Sequence, residues 1–192
     1  SAARAIYFEC GSASGVCISA SGSASGSAVI AGVTTFGGGG GGGSVVVAAP
    51  RLAGQGVMRA IGGTAGGGSY HNGGGGGGGR VALLAESELS DGLSGFTYGT
   101  GYTWQVLGSH GATVREVAAL RVRTLEIGMS SSSYSLFRSR LPPGLPCAGL
   151  TRLELHGNAR ATPLVHGSVV AATRVVAAGT LESTGTALLF EA

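Results

Sequence analysis

The sequence predicts an all-β fold, a parallel β-helix or β-solenoid with glycine-rich turns. Two runs of seven glycines, residues 37–43 and 73–79, start 36 residues apart. Each leads into an apolar segment of the same kind, Ser-Val-Val-Val-Ala-Ala at 44–49 and Arg-Val-Ala-Leu-Leu-Ala at 80–85. The rest of the chain is a series of short apolar stretches between Gly-rich turns, and none reads as a good helix. One short strand per turn suits coils that stack in parallel and direct Val, Ile, Leu and Ala inwards. A β-sandwich is the alternative; it would space its hairpin turns more regularly.

Taken in order, Ala5-Ile6-Tyr7-Phe8-Glu9 is the first strand candidate. Residues 10–35 are Gly, Ser, Ala and β-branched residues, with strand-like pieces at 15–19 and 27–31. Helix is disfavoured there, since each interior Gly costs about 1 kcal/mol against Ala. Residues 44–49 read as a buried strand that Pro50 stops, 52–56 as a turn, and 57–61 as a half-buried alternating strand. Residues 62–72 read as a loop, 80–85 as the next strand, and 86–95 as a polar turn region. Phe96, Tyr98, Tyr102 and Trp104 alternate about Gly99-Thr100-Gly101, a hairpin signature. Val122, Leu125 and Ile127, with Arg123 and Glu126 among them, favour a strand. Residues 130–133 and 141–146 are loops. Residues 150–157 alternate as a strand, 168–175 echo 44–52 with one residue deleted, and short strands follow at 179–182 and 186–190. The organisation is thus Ser/Gly/Ala-rich strands (1–36), coils carrying the glycine runs (37–95), an aromatic hairpin with a loop insertion (96–149), and C-terminal coils (150–192).

Composition narrows the class. Glycine makes up 39 of 192 residues, about three times the usual share. Hydrophobic residues are 43% and mean hydropathy is +0.34, unlike a charged disordered linker. Charged residues are only 11%, under half the roughly 25% of an ordinary domain, so the chain is expected to sit in an assembly or a longer fibre. It starts at Ser1 without a leader pattern, as a processed product or a fragment would. The net charge of +3 comes from scattered arginines and no lysine, too sparse for a nucleic-acid patch. No apolar run approaches a membrane span.

Ordering one residue's backbone costs about 1–2 kcal/mol, so seven glycines cost on the order of 10 kcal/mol with no side chain to recover it. Either the runs are floppy loops, or they pack backbone to backbone in an extended polyproline-II-like state that only Gly permits. Equal length and direct continuation into strands favour packing.

The order of glycines, Ser44-Val45-Val46-Val47-Ala48-Ala49, Leu52-Ala53-Gly54-Gln55-Gly56-Val57-Met58-Arg59-Ala60-Ile61-Gly62-Gly63, glycines and Arg80-Val81-Ala82-Leu83-Leu84 resembles a known pattern. Gly-rich repeats of giant extracellular proteins in protists, algae and bacteria read roughly as glycines, SIxIxA, LxGxGxIxAxGG, glycines, RIAI. The resemblance covers residues 37–85 well and 165–192 loosely, and residues 86–164 depart from it. It implies a right-handed parallel β-helix with an adhesive or structural role on the cell surface.

Catalytic patterns are missing. A phosphate-binding Walker loop needs Lys, and the candidate GxSxG at 11–15 has Ala at its centre. Calcium-binding solenoid repeats need several Asp per coil, whereas Asp91 is the sole Asp. His71, His110, His156 and His166 form no ligand spacing; His156 and His166 could meet across adjacent coils or be surface residues. Cys10 and Cys17 could form a disulfide in a secreted chain, with Cys147 left over, or all three could be small buried thiols. Phe96, Tyr98, Tyr102 and Trp104 could pack a flank, meet another chain or stack on sugar rings.

The expected role is non-enzymatic: a structural segment of an extracellular surface fibre or appendage, without metal or cofactor. Its partners would be copies of itself or other chains of the same assembly, with no nucleic acid. The alternative is an adhesin-type module that binds surface glycans or another surface.

Overall fold

The computed structural model describes residues 4–10, 15–67, 73–97, 111–127, 138–141, 150–155, 160–163, 170–177, 180–181 and 188–190. Among these the chain is all-β, with one 3-10 turn at Ala118–Leu120. The first half contains β1 (Ala5–Glu9), β2 (Val16–Ser19), β3 (Ser27–Ile30), β4 (Val33–Phe36), β5 (Ser44–Arg59), β6 (Arg80–Leu89) and β7 (Leu93–Phe96). Next come β8 (Ala112–Val117), β9 (Val122–Ile127), β10 (Arg138–Leu141) and β11 (Leu150–Leu155). The last are β12 (Arg160–Pro163), β13 (Val170–Ala177), β14 (Thr180–Leu181) and β15 (Leu188–Phe190).

The main sheet runs in the order β1-β5-β6-β8-β9-β11-β13-β15. The 36-residue spacing of the glycine runs reappears as its register, with Ser44 opposite Arg80, Val45 opposite Val81 and Val47 opposite Leu83. β6 lies on β8 in the same sense, Arg80 opposite Ala112. These pairings are parallel, but β8–β9 is antiparallel, so the sheet is mixed. The sheet is therefore not the wholly parallel stack of a β-helix, and its antiparallel pair lies within 96–149, the stretch that the sequence sets apart from the coils. Only the link 118–121 joins β8 to β9, and a parallel crossover needs a dozen or more residues.

β5 bends where Gly54 (φ +100°) and Gly56 (φ +152°) take conformations that L side chains avoid. Beyond the bend, β5 pairs with β2 on one side and with β7 on the other. Val45, Val47, Val81 and Leu83 from the main sheet meet Met58 and Leu93 from this second ladder in one buried cluster. Leu52 and Ala60 join them, and the core is aliphatic.

Several local readings change. Pro50 lies within β5 and does not stop it: the register slips between Ala49 and Arg51, so the missing N–H falls at a bulge. Residues 44–49 are buried on one face only, for Val46 is 66% exposed between buried Val45 and Val47. Residues 86–89 continue β6, and Arg51 pairs with Glu88 across the ladder. Residues 62–66 are hydrogen-bonded extended chain and not a free loop.

Both glycine runs belong to a backbone array. Its four segments are residues 20–26, 37–43, 60–66 and 73–79. Gly37, Gly40 and Gly43 donate to the carbonyls of Gly26, Ser23 and Ala20. Gly39 and Gly42 donate to Gly74 and Gly77, both at 2.8 Å. Gly73, Gly76 and Gly79 donate to Gly66, Gly63 and Ala60. Every series advances in steps of three, the period of a polyproline-II helix, which has no internal hydrogen bonds and turns its amides to neighbours. Direction alternates: 37–43 is antiparallel to 20–26 and 60–66, and parallel to 73–79. Of the side chains the array carries, Ser21, Ser23, Ala24 and Thr64 are exposed, while Ala60 and Ala65 are buried.

Candidate functional site

Two places combine exposure with built geometry: the β1 end of the stack and a cleft beside β8 and β9.

At the stack end, β1 pairs with β5 along one edge, Ala5 opposite Arg51 through Glu9 opposite Gln55. β2 likewise pairs with β5 along one edge. Among the described residues no strand covers the other edge of either. Tyr7 is 68% exposed, and Ile6, Val16 and Ile18 are also exposed. Cys10 and Cys17 form a disulfide at the corner between these two strands, with Cα atoms 5.4 Å apart. The bridge sits over Gly56, where any Cβ would collide with Cys17 Sγ. The β3–β4 hairpin carries exposed Val29, Ile30 and Val33 around a turn in which Ala31 and Gly32 both have positive φ.

The cleft, about 220 Å³, is lined by Leu89, Asp91, Arg115, Val117, Val122, Thr124 and Arg152. Arg115, Thr124 and Arg152 stand in one cross-strand row, since Arg115 faces Thr124 in the β8–β9 ladder and Thr124 faces Arg152 in β9–β11. The same row passes through Leu83 of the core. Along this row the sheet therefore turns from aliphatic to polar beyond β6. Arg115 donates to the Ser90 carbonyl at 3.1 Å and lies 3.4 Å from the Asp91 carboxylate. Asp91 is fully exposed at the rim.

Of the residues singled out from sequence, Phe96 ends β7 with its backbone opposite Arg59. The Phe96 side chain, Tyr98, Tyr102, Trp104, Cys147 and all four histidines lie outside the described residues. The arginine row was not foreseen; Arg115, Thr124 and Arg152 are far apart in sequence, and only the strand register joins them. Among the described residues no three His, Cys, Asp or Glu side chains come together, and no helix is long and apolar enough to cross a membrane. No family model, curated protein or solved structure matches the chain.

Proposed function

We propose that this chain is a non-enzymatic structural segment of an extracellular fibre or surface appendage, that its coils form a β-solenoid braced by the glycine array, and that it assembles end to end. The carrying observation is the uncovered edge of β1 and β2 with Ile6, Tyr7, Val16 and Ile18 exposed along it. An open edge is a template for another strand. A β1 end that meets the opposite end of a second copy makes a heterologous contact, which extends into a filament unless it closes into a ring. The Cys10–Cys17 disulfide supports an oxidising, extracellular setting. The resemblance of residues 37–85 to Gly-rich surface-protein repeats points the same way. Low charge favours burial between copies over a solitary existence.

The test is sedimentation velocity with negative-stain microscopy over rising concentration. Linear oligomers are expected from the native chain. Tyr7→Lys with Val16→Lys places charges on the edge and is expected to abolish them without changing the circular dichroism. A native chain that stays monomeric at high concentration sinks the proposal.

A further inference from the structure

We infer that the cleft between β6, β8, β9 and β11 is a binding site for an organic oxyanion: a carboxylate or sulfate ester borne on a ring-sized, partly apolar body, as in an acidic sugar residue.

Three features of the lining carry this. Two guanidinium groups, Arg115 and Arg152, share the cleft, and among the described residues Asp91 is the one acidic side chain that lines it. Arginine is the side chain suited to carboxylate and sulfate, because its planar fork can donate two parallel hydrogen bonds. Thr124 sets a hydroxyl between the two arginines in the same row. Leu89, Val117 and Val122 supply an apolar floor for the body of the ligand. At about 220 Å³ the cleft is below the roughly 300–1,000 Å³ of pockets for drug-sized ligands, which limits it to about one ring.

Asp91 makes the site adjustable. Its carboxylate lies 3.4 Å from Arg115 and is fully exposed, so it competes with an incoming anion for one guanidinium. Arg115 is only 23% exposed and is held by the Ser90 carbonyl as well. That second bond keeps the guanidinium in place when Asp91 is displaced.

The experiment is calorimetric titration of the whole oxidised chain with oligogalacturonate, a sulfated galactan fragment and a neutral cello-oligosaccharide. Binding of at least one acidic oligomer is expected, weakened by salt, with none of the neutral one. The two acidic arms separate carboxylate from sulfate as the preferred group. Arg152→Ala is expected to weaken binding about tenfold or more, in keeping with charge-assisted hydrogen bonds. Asp91→Asn is expected to tighten it about two- to fivefold, the range of an exposed ion pair, and a misfolded variant could not mimic that gain. Arg51→Ala, outside the cleft, should leave binding unchanged. Failure of both acidic oligomers to bind overturns the inference, as does equal binding by the Arg152→Ala protein. Neither result depends on the β1-edge variants, so the cleft and the assembly stand or fall separately.

Discussion

Within one glycine run, neighbouring residues face different surroundings. A Cβ at Gly39 would fall inside the Gly63 carbonyl, which is backbone of the adjacent segment and cannot swing away. At Gly41, two residues on, the nearest atom is the Gly77 carbonyl oxygen at 4.0 Å. Gly39→Ala must therefore push residues 60–66 aside and strain the 2.7 Å bond from the Gly63 amide to the Gly40 carbonyl. We expect it to destabilise the protein by about 1–3 kcal/mol, as overpacking does. Gly41→Ala should be neutral, or stabilising by up to about 1 kcal/mol through the unfolded chain. Denaturant unfolding of the two variants checks this; equal effects would mean the run is not packed as described. The repeat itself was legible, because two equal runs before similar strands are a sequence fact. Which glycines must be glycine was not, since that depends on the segment that approaches each face. The cleft was hidden for a related reason: nothing local to Arg115 announces that Thr124 will pair with it in antiparallel register and Arg152 with Thr124 in parallel.

At the level of elements, β1 and β2 depend on β5 more than on themselves. Each is short, partly exposed and, among the described residues, paired along one edge only. The Cys10–Cys17 bridge ties them at the corner, so it fixes both strands against the bend at Gly56. A closed loop of this size contributes about 2–3 kcal/mol in the chain-entropy account. Reduction, or Cys10→Ser with Cys17→Ser, is expected to lower unfolding stability by about that amount. It should also expose residues 5–19 to protease and suppress end-to-end assembly. Unchanged proteolysis and unchanged assembly after reduction would show that β1 and β2 hold their place without the bridge. Element types came readily from sequence: β1 starts and ends where the strand candidate Ala5–Glu9 does. Their continuity did not. Pro50 looked like a stop because a missing N–H interrupts a ladder, yet the register slip gives it a place inside β5. The turn after Leu89 was drawn too early because Glu86, Ser87 and Glu88 are polar; they are the exposed end of β6, and Arg51 and Pro50 across the ladder bond to Glu88 and Ser87.

For the whole molecule, the β-ladders and the glycine array are stabilised by different means. Between the ladders, Leu52, Met58, Leu83 and Leu93 are fully buried, and removal of apolar surface from water drives packing. The two glycine runs have no side chains to bury, so their order rests on backbone hydrogen bonds and close contact. Such bonds contribute about 0.5–1.5 kcal/mol each net, against a backbone entropy cost of about 1–2 kcal/mol per residue. The array alone is therefore marginal at best. It persists because residues 43, 60 and 79 run directly into or out of β5 and β6, whose packing anchors one end of three of the four segments. This coupling makes a definite demand on amide exchange. Amides of residues 39, 40, 42, 63, 76 and 79 donate to backbone carbonyls in the array, so they should exchange only when the array opens, with protection close to that of β5 and β6. A free heptaglycine would exchange at its intrinsic rate. Hydrogen exchange read by NMR on the native chain distinguishes the two, and in the Gly39→Ala protein protection should fall first in residues 60–66 and 73–79 while β5 retains its own. Intrinsic-rate exchange through both runs in the native chain would return them to the status of loops and remove the array from the account of how β5 and β6 are braced.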